Sequence, residues 1–399
     1  MKKLMLFVVG LMISSAAFSQ SCLDDVWQCL KNNQAPKAKK FLESCMASNP
    51  DNAQVWLMKG NVYYRLAESD QIKLEADSNY TPRYPSAAWE ANEAFLKAIM
   101  LDKDVQPKTG MMGAELGQRA CAPMIYMMGA KAANAGKTED AVKYFTTAAR
   151  NYELGKESAN AAAAYLQAAI VYKGMKDLDN EKAMLAKSIK SGSKMVACYQ
   201  ELYYIYRDEN DTVSCANVLE QAKANLSEAD QKGMADAQMN YLDFIGNTEE
   251  LITLCEQVVA ADPSNYEMIG IAVTYLNNSK AFTKAEEILR AALEKEPDNF
   301  DLNAQMGYRF YQEMMAYEDE LQALKDKKMW NDVVALQKDG TDWSNGKKAA
   351  MKNAHDWCQK AYEISSDNLD NNKRLRQLKL FLGLEVPQEL NDKINARMH

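Results

Sequence analysis

Two histidines, His355 and His399, bound the chemistry open to this chain. Cys358 stands three residues from His355, so a helix would set the pair on one face, and a Cys–His nucleophile is the first chemistry to weigh. Cys358 also falls in a recurring apolar slot, where a thiol serves as a small buried hydrophobe. Gly136-Lys137-Thr138 has the ending of a phosphate loop, but Lys131 occupies the place of the earlier glycine which that motif requires. The segment reads instead as a turn between helices, with Gly136 supplying the left-handed backbone that ends the first. Cys22 and Cys29 lie seven apart, which suits packing better than zinc. The paired carboxylates Asp24-Asp25, Glu249-Glu250 and Glu286-Glu287 sit at helix starts and turns, where negative charge is ordinary stabilisation. No catalytic residue, metal site or cofactor is expected.

What the residues do specify is a repeat. Aligned on one register position, eight segments place it at Val26, Gly60, Gly129, Ala169, Tyr203, Met239, Val273 and Gly307, with spacings of 34, 69, 40, 34, 36, 34 and 34. A period of 34 predicts a helix–turn–helix array. In the seventh unit Ile269, Ala272, Val273 and Leu276 form one helical face, and Ala285, Leu289 and Ala292 form the next, with Pro297 beyond as a stop. The last second-helix position reads Cys45, Ala98, Ala148, Ser188, Ala222, Val258, Ala292 and Ala361. All but Val258 are small, and close helix crossings need small side chains. Three residues earlier come Leu42, Phe95, Phe145, Leu185, Leu219, Cys255, Leu289 and Cys358, the side chains that fill the gap.

The chain resembles the tetratricopeptide repeat family through these positions. Trp56, Gly60, Tyr63, Phe95 and Ala98 match its pattern in the second unit, and Gly129, Gly136, Ala141, Phe145 and Ala148 match in the third. Lys59 and Lys103 replace the usual Leu and Pro, and Tyr203 and Met239 replace the small residue at the crossing, which predicts splayed helices there. The resemblance covers roughly residues 20–366 and implies an all-α fold: a right-handed α-solenoid of about eight helix–turn–helix repeats with a C-terminal capping helix. It is to exported members of the bacterial phylum that includes Bacteroides, and Asp211-Thr212-Val213 is similar to the short O-glycosylation acceptor of that phylum, though an exposed polar turn accounts for it.

With 399 residues, 47% of them hydrophobic, the chain can build a continuous core by nearest-neighbour stacking. Residues 1–19 read as a signal peptide: Lys2 and Lys3, then apolar Leu4 to Ile13, then Ala17-Phe18-Ser19 before a mature start near Gln20. That predicts a periplasmic protein that is not transmembrane, with outer-membrane association or release as variants. A lipid-attachment reading of Cys22 lacks the usual Leu three residues before, where Ser19 stands. In an antiparallel hairpin Cys22 would face Cys45, so Cys22 is a candidate for a disulfide, a lipid anchor or a free thiol. Losing Lys2 and Lys3 takes the net charge from −8 to −10. An acidic chain is a poor candidate for nucleic acid or an anionic membrane.

Insertions fall near 69–86, 103–119 and 316–348. The last predicts a first helix running to about Asp326, a short helix from Met329 to Gln337, and a loop over Asp339 to Gly346. Residues 367–399 read as a capping helix and tail: Leu375, Leu378 and Leu382 form a stripe with Lys373, Arg374, Arg376 and Lys379 outward, and Pro387 starts a last short helix that frays.

The resemblance implies that first helices line a groove that takes a peptide or protein partner. On this register the groove residues are Asn61, Tyr64, Arg65, Tyr126, Asn134, Lys173, Gln200, Tyr204, Arg207, Asn240, Asp243, Asn277, Tyr308 and Tyr311. Tyr and Arg are common binding hot spots, and Asn can pair with a peptide backbone. Leu57 stands where the family's clamp for a C-terminal carboxylate puts Lys, so that ligand is not expected. The leading reading is an exported, non-enzymatic interaction scaffold. The alternative is an envelope carbohydrate- or small-ligand-binding protein using Tyr80, Tyr84, Trp330 and Trp343.

Overall fold

A computed structural model describes residues 22–397; the signal-peptide segment and His399 lie outside them. The described residues form helices and turns and divide into two compact units. One runs up to Ile205 and takes in Ala224–Leu226; the other comprises Tyr206–Lys223 and the chain from Ser227 onward.

The first unit contains α1 (22–31), α2 (Ala35–Ser48), α3 (Ala53–Ala76), α4 (Ala87–Leu101), α5 (Ala114–Asn134), α6 (Thr138–Leu154), α7 (Ser158–Met175) and α8 (Leu178–Lys190). From α2 to α8 each helix packs on the next, and α3 also packs on α5. This is the contact pattern of stacked helix pairs. Short polar residues start the helices: the Asn52 side chain accepts from the Gln54 N–H at 2.9 Å, and Asp177 from Asn180 at 3.2 Å. Gly136, at φ 71°, ends α5 as the left-handed cap.

Crossings are set by paired volumes. The Phe95 ring lies against Gly60, where an added Cβ would stand 2.5 Å from it, and against Gly117 on α5. Gly129 meets Phe145 in the same way. Cys22 and Cys45 form a disulfide that ties α1 to α2, with their Cα atoms 5.8 Å apart.

α9 (Val196–Asp208) and α10 (Thr212–Asn225) carry the division between the units. The second unit continues with the single turn α11 (Glu228–Gln231), a 3-10 turn, then α12 (Ala235–Phe244), α13 (Thr248–Ala261), α14 (Tyr266–Asn278) and α15 (Phe282–Leu293). Then follow α16 (Phe300–Asp326), α17 (Trp330–Gln337), α18 (Asp342–Ile364), α19 (Leu369–Phe381) and α20 (Gln388–Ala396). Here the volumes trade places: large Met239 occupies the crossing and small Cys255 faces it, sulfur to sulfur 3.5 Å. Gly307 and Cys358 are both small, and a Cβ on Gly307 would stand 3.0 Å from the Cys358 backbone nitrogen, so α16 and α18 cross at near-backbone contact.

Two local expectations are corrected. The segment 342–346 is helix, not loop, because Thr341 Oγ1 caps it by accepting from the Ser344 N–H at 3.1 Å. Gly346 reads as a loop residue but is a packing glycine: an added Cβ would stand 2.8 Å from Cζ of Tyr317. α20 does not fray, since Leu390 and Ile394 are buried beside Leu375 and Leu378.

Candidate binding cleft between α3 and α5

α3 is longer than a repeat requires, and the chain after it folds back as a short wall. Asp70 anchors that wall. Although 95% buried, its carboxylate accepts from the Tyr80 hydroxyl at 2.7 Å and from the Tyr84 backbone N–H at 2.5 Å. Buried carboxylates need such donors, and charge-assisted bonds are the stronger kind.

The wall separates two clefts of different chemistry. One, of about 210 Å³, is lined by Ala67, Gln71 and Leu74 of α3, Pro82, Tyr84 and Pro85 of the wall, Ala88 of α4, and Met124, Met127, Met128 and Lys131 of α5. It is chiefly apolar, and Met127 is 46% exposed. Thioether side chains are flexible and polarizable, which suits an adaptable pocket for an apolar side chain. The other cleft, of about 400 Å³, carries Arg65, Glu68, Lys73 and Arg83 beside Leu30 and Ile72. Arg65 is already paired with Glu68 at 2.7 Å.

The groove residues expected from the sequence fall in both units and have varied surroundings. In the first unit, Asn61 is buried: its Nδ2 donates to the carbonyls of Leu57 and Met112, and its Oδ1 accepts from the Met112 N–H at 2.9 Å. It pins the 103–113 segment and leaves no face for a partner. Tyr64 is half-buried, and burial first, then Glu68, pushes its hydroxyl up. Tyr126 stacks edge-on to Phe145 with ring centres 5.3 Å apart. Asn134 is exposed at the end of α5, and Lys173 pairs with Glu201 at 2.5 Å. Gln200 is half-buried, and Tyr204 packs edge-on to Tyr203.

In the second unit, Arg207 lies over the Phe244 ring at 4.4 Å. Asn240 lies beside the Tyr275 hydroxyl, which burial pushes up to about 12. Asp243 accepts from Ser279. Asn277 is buried because it continues the core stripe one turn beyond Val273, so it too cannot face a partner. Arg374 of α19 stacks over Tyr308 and Tyr311, and the Tyr311 hydroxyl donates to Gln377 at 3.0 Å.

Apart from Trp330, the remaining residues whose types suggested chemistry serve packing. Burial raises the Cys358 thiol to about 11, and His355 Nδ1 faces Asp356 at 3.0 Å. A protonated thiol is no nucleophile. Tyr80 and Tyr84 hold the wall, Trp343 packs edge-on to Tyr317, and Trp330 is exposed. Met124, Met127, Met128 and Lys131 escape a reading of the sequence. Their spacing at i, i+3, i+4 and i+7 is the available signal, but it is also the spacing of an ordinary core stripe.

Among the described residues no group of three or more His, Cys, Asp or Glu is placed to hold a metal, and no helix is long and apolar enough to cross a membrane.

The fold so built is an all-α array of helix–turn–helix repeats. No family model matches the sequence, and no curated protein matches it. Similar solved structures include YrrB, described as a TPR protein with an unusual peptide-binding site, at 20% identity and TM-score 0.35 over 53% of this chain and 96% of that one. A tetratricopeptide repeat protein from Parabacteroides merdae is 10% identical, TM-score 0.34, over 80% and 98%. The TPR domain of P58(IPK) is 13% identical, TM-score 0.25, over 92% and 98%.

Proposed function

We propose that this chain is an exported, non-enzymatic interaction scaffold that seats an apolar side chain of an extended partner segment between α3 and α5. The observation that carries the reading is the methionine row of α5, left partly exposed and faced by a wall that buried Asp70 holds in place. The bonds from Tyr80 and Tyr84 offset the cost of burying the Asp70 carboxylate and fix the wall beside the methionines. Anchors buried in preformed pockets dominate the energetics of such interfaces. Export to the periplasm rests on the features of residues 1–19 in the sequence.

The cleft is tested by selecting binders from a random peptide display library and re-measuring them on Met127→Asp and Met128→Asp chains. Peptides with one shared apolar anchor, weakened tenfold or more by either change (about 1.4 kcal/mol), are expected. Binding to both variants as tight as to the wild type would sink the cleft as the site. Export is tested separately by fractionation and N-terminal sequencing. A start near Gln20 in the periplasmic fraction supports it, and a cytoplasmic chain retaining Met1 refutes it.

A further inference from the structure

The capping helix α19 carries a charge pattern opposite to that of the whole chain. Between Asp370 and Glu385 there is no acidic residue, while Lys373, Arg374, Arg376 and Lys379 are all basic, in a chain of net charge −8. Leu375 and Leu378 face the core, and Arg374 turns inward over Tyr308 and Tyr311. Lys373 and Arg376 are exposed, and no ion pair engages them or Lys379 among the described residues. Beside them, Leu380 is 60% exposed, Phe381 55% and Leu384 44%. Lys373, Arg376 and Leu380 follow at i, i+3 and i+7, so cations and apolar side chains share one outer face.

We propose that this outer face of α19 docks on an anionic lipid surface. A basic helix face with Leu and Phe beside it is the composition of an interfacial contact. The rings and aliphatic groups enter the acyl boundary while the long cationic side chains keep their heads at the phosphates. Asp370 and Glu385 flank the basic run at its two ends, and the chain's other negative charges act on the face only where they lie within a Debye length of about 8 Å. The local patch thereby overrides the expectation drawn from net charge alone. The proposal is independent of the cleft reading, since α19 and the α3–α5 cleft belong to different units.

The test is flotation of the full chain with vesicles of equimolar phosphatidylglycerol and phosphatidylcholine, and with phosphatidylcholine alone. The comparison is among wild type, Arg376→Glu with Lys379→Glu, and Leu380→Ser with Phe381→Ser. All three are used in the same form, so that the apolar segment Leu4 to Ile13 contributes equally. Circular dichroism and the unfolding midpoint verify that the substitutions leave the fold intact. Wild type is expected to float with the anionic vesicles, less at raised salt, and each variant to bind roughly tenfold more weakly or less still. Equal flotation of the three, or no flotation of wild type on anionic vesicles, overturns the proposal. A wild-type dimer in solution that Phe381→Ser dissolves, without vesicle binding, assigns the face to a second copy instead.

Discussion

Phe145 stands over Gly129 so closely that a Cβ on the glycine would fall 2.8 Å from the ring. Helix propensity alone favours Ala over Gly by about 1 kcal/mol inside α5. The clash reverses the sign. Gly129→Ala should lower stability by about 1–3 kcal/mol, as overpacking does. A gain in the urea midpoint would refute the packing account.

Asp70 is predicted to hold the 77–86 wall through the two hydrogen bonds its carboxyl group accepts. Asp70→Ala removes the acceptor for Tyr80 and Tyr84 and should cost about 1–3 kcal/mol. Limited proteolysis should then cut within 77–86, and peptide binding at the neighbouring apolar cleft should weaken. A variant as protease-resistant as wild type would show that the wall holds itself.

The disulfide between Cys22 and Cys45 spans a sequence separation of 23. Closing a loop of that size is worth about 3 kcal/mol in the chain-entropy account. Reductant should therefore lower the unfolding midpoint of the first unit. The Cys45→Ser chain should show the lowered midpoint already and no further response to reductant.

Thiol burial sets an alkaline limit. Burial raises Cys121 and Cys255 to about 12 and Cys358 to about 11, from an ordinary value of 9.0. A raised pKa means that the folded state keeps its proton after the unfolded state has lost it. Stability from these groups is complete below about pH 9 and falls as pH rises toward the folded values. The urea midpoint should drop steadily above pH 9. The native thiols should also resist alkylation near neutral pH, reacting only on unfolding. Rapid native alkylation of Cys121 would contradict the buried placement.

Periodicity makes the array legible because every repeat solves one packing problem with the same small set of side chains. The glycines at 60, 129 and 307, and the knobs Phe95, Phe145 and Cys358, pair by register alone. Cys22 and Cys45 belong to the same logic, since the hairpin sets which positions face each other. The site is harder to read. Register places Asn61 and Asn277 on a binding face, but accessibility depends on what else lies over a helix, and a segment from elsewhere in the chain covers Asn61. Gly346 has loop composition and a packing role, because the close approach of Tyr317 is a tertiary event.

Helix periods, turn residues and charge runs are local quantities, set by residues near one another along the chain. The repeat, its register, the acidic balance and the basic run of α19 are all of this kind, and each can be read without coordinates. Whether the methionines of α5 become core or cleft turns instead on the return of the 77–86 wall and the burial of Asp70. That outcome belongs to the folded molecule, because the bonds to Asp70 join residues that no helical period relates.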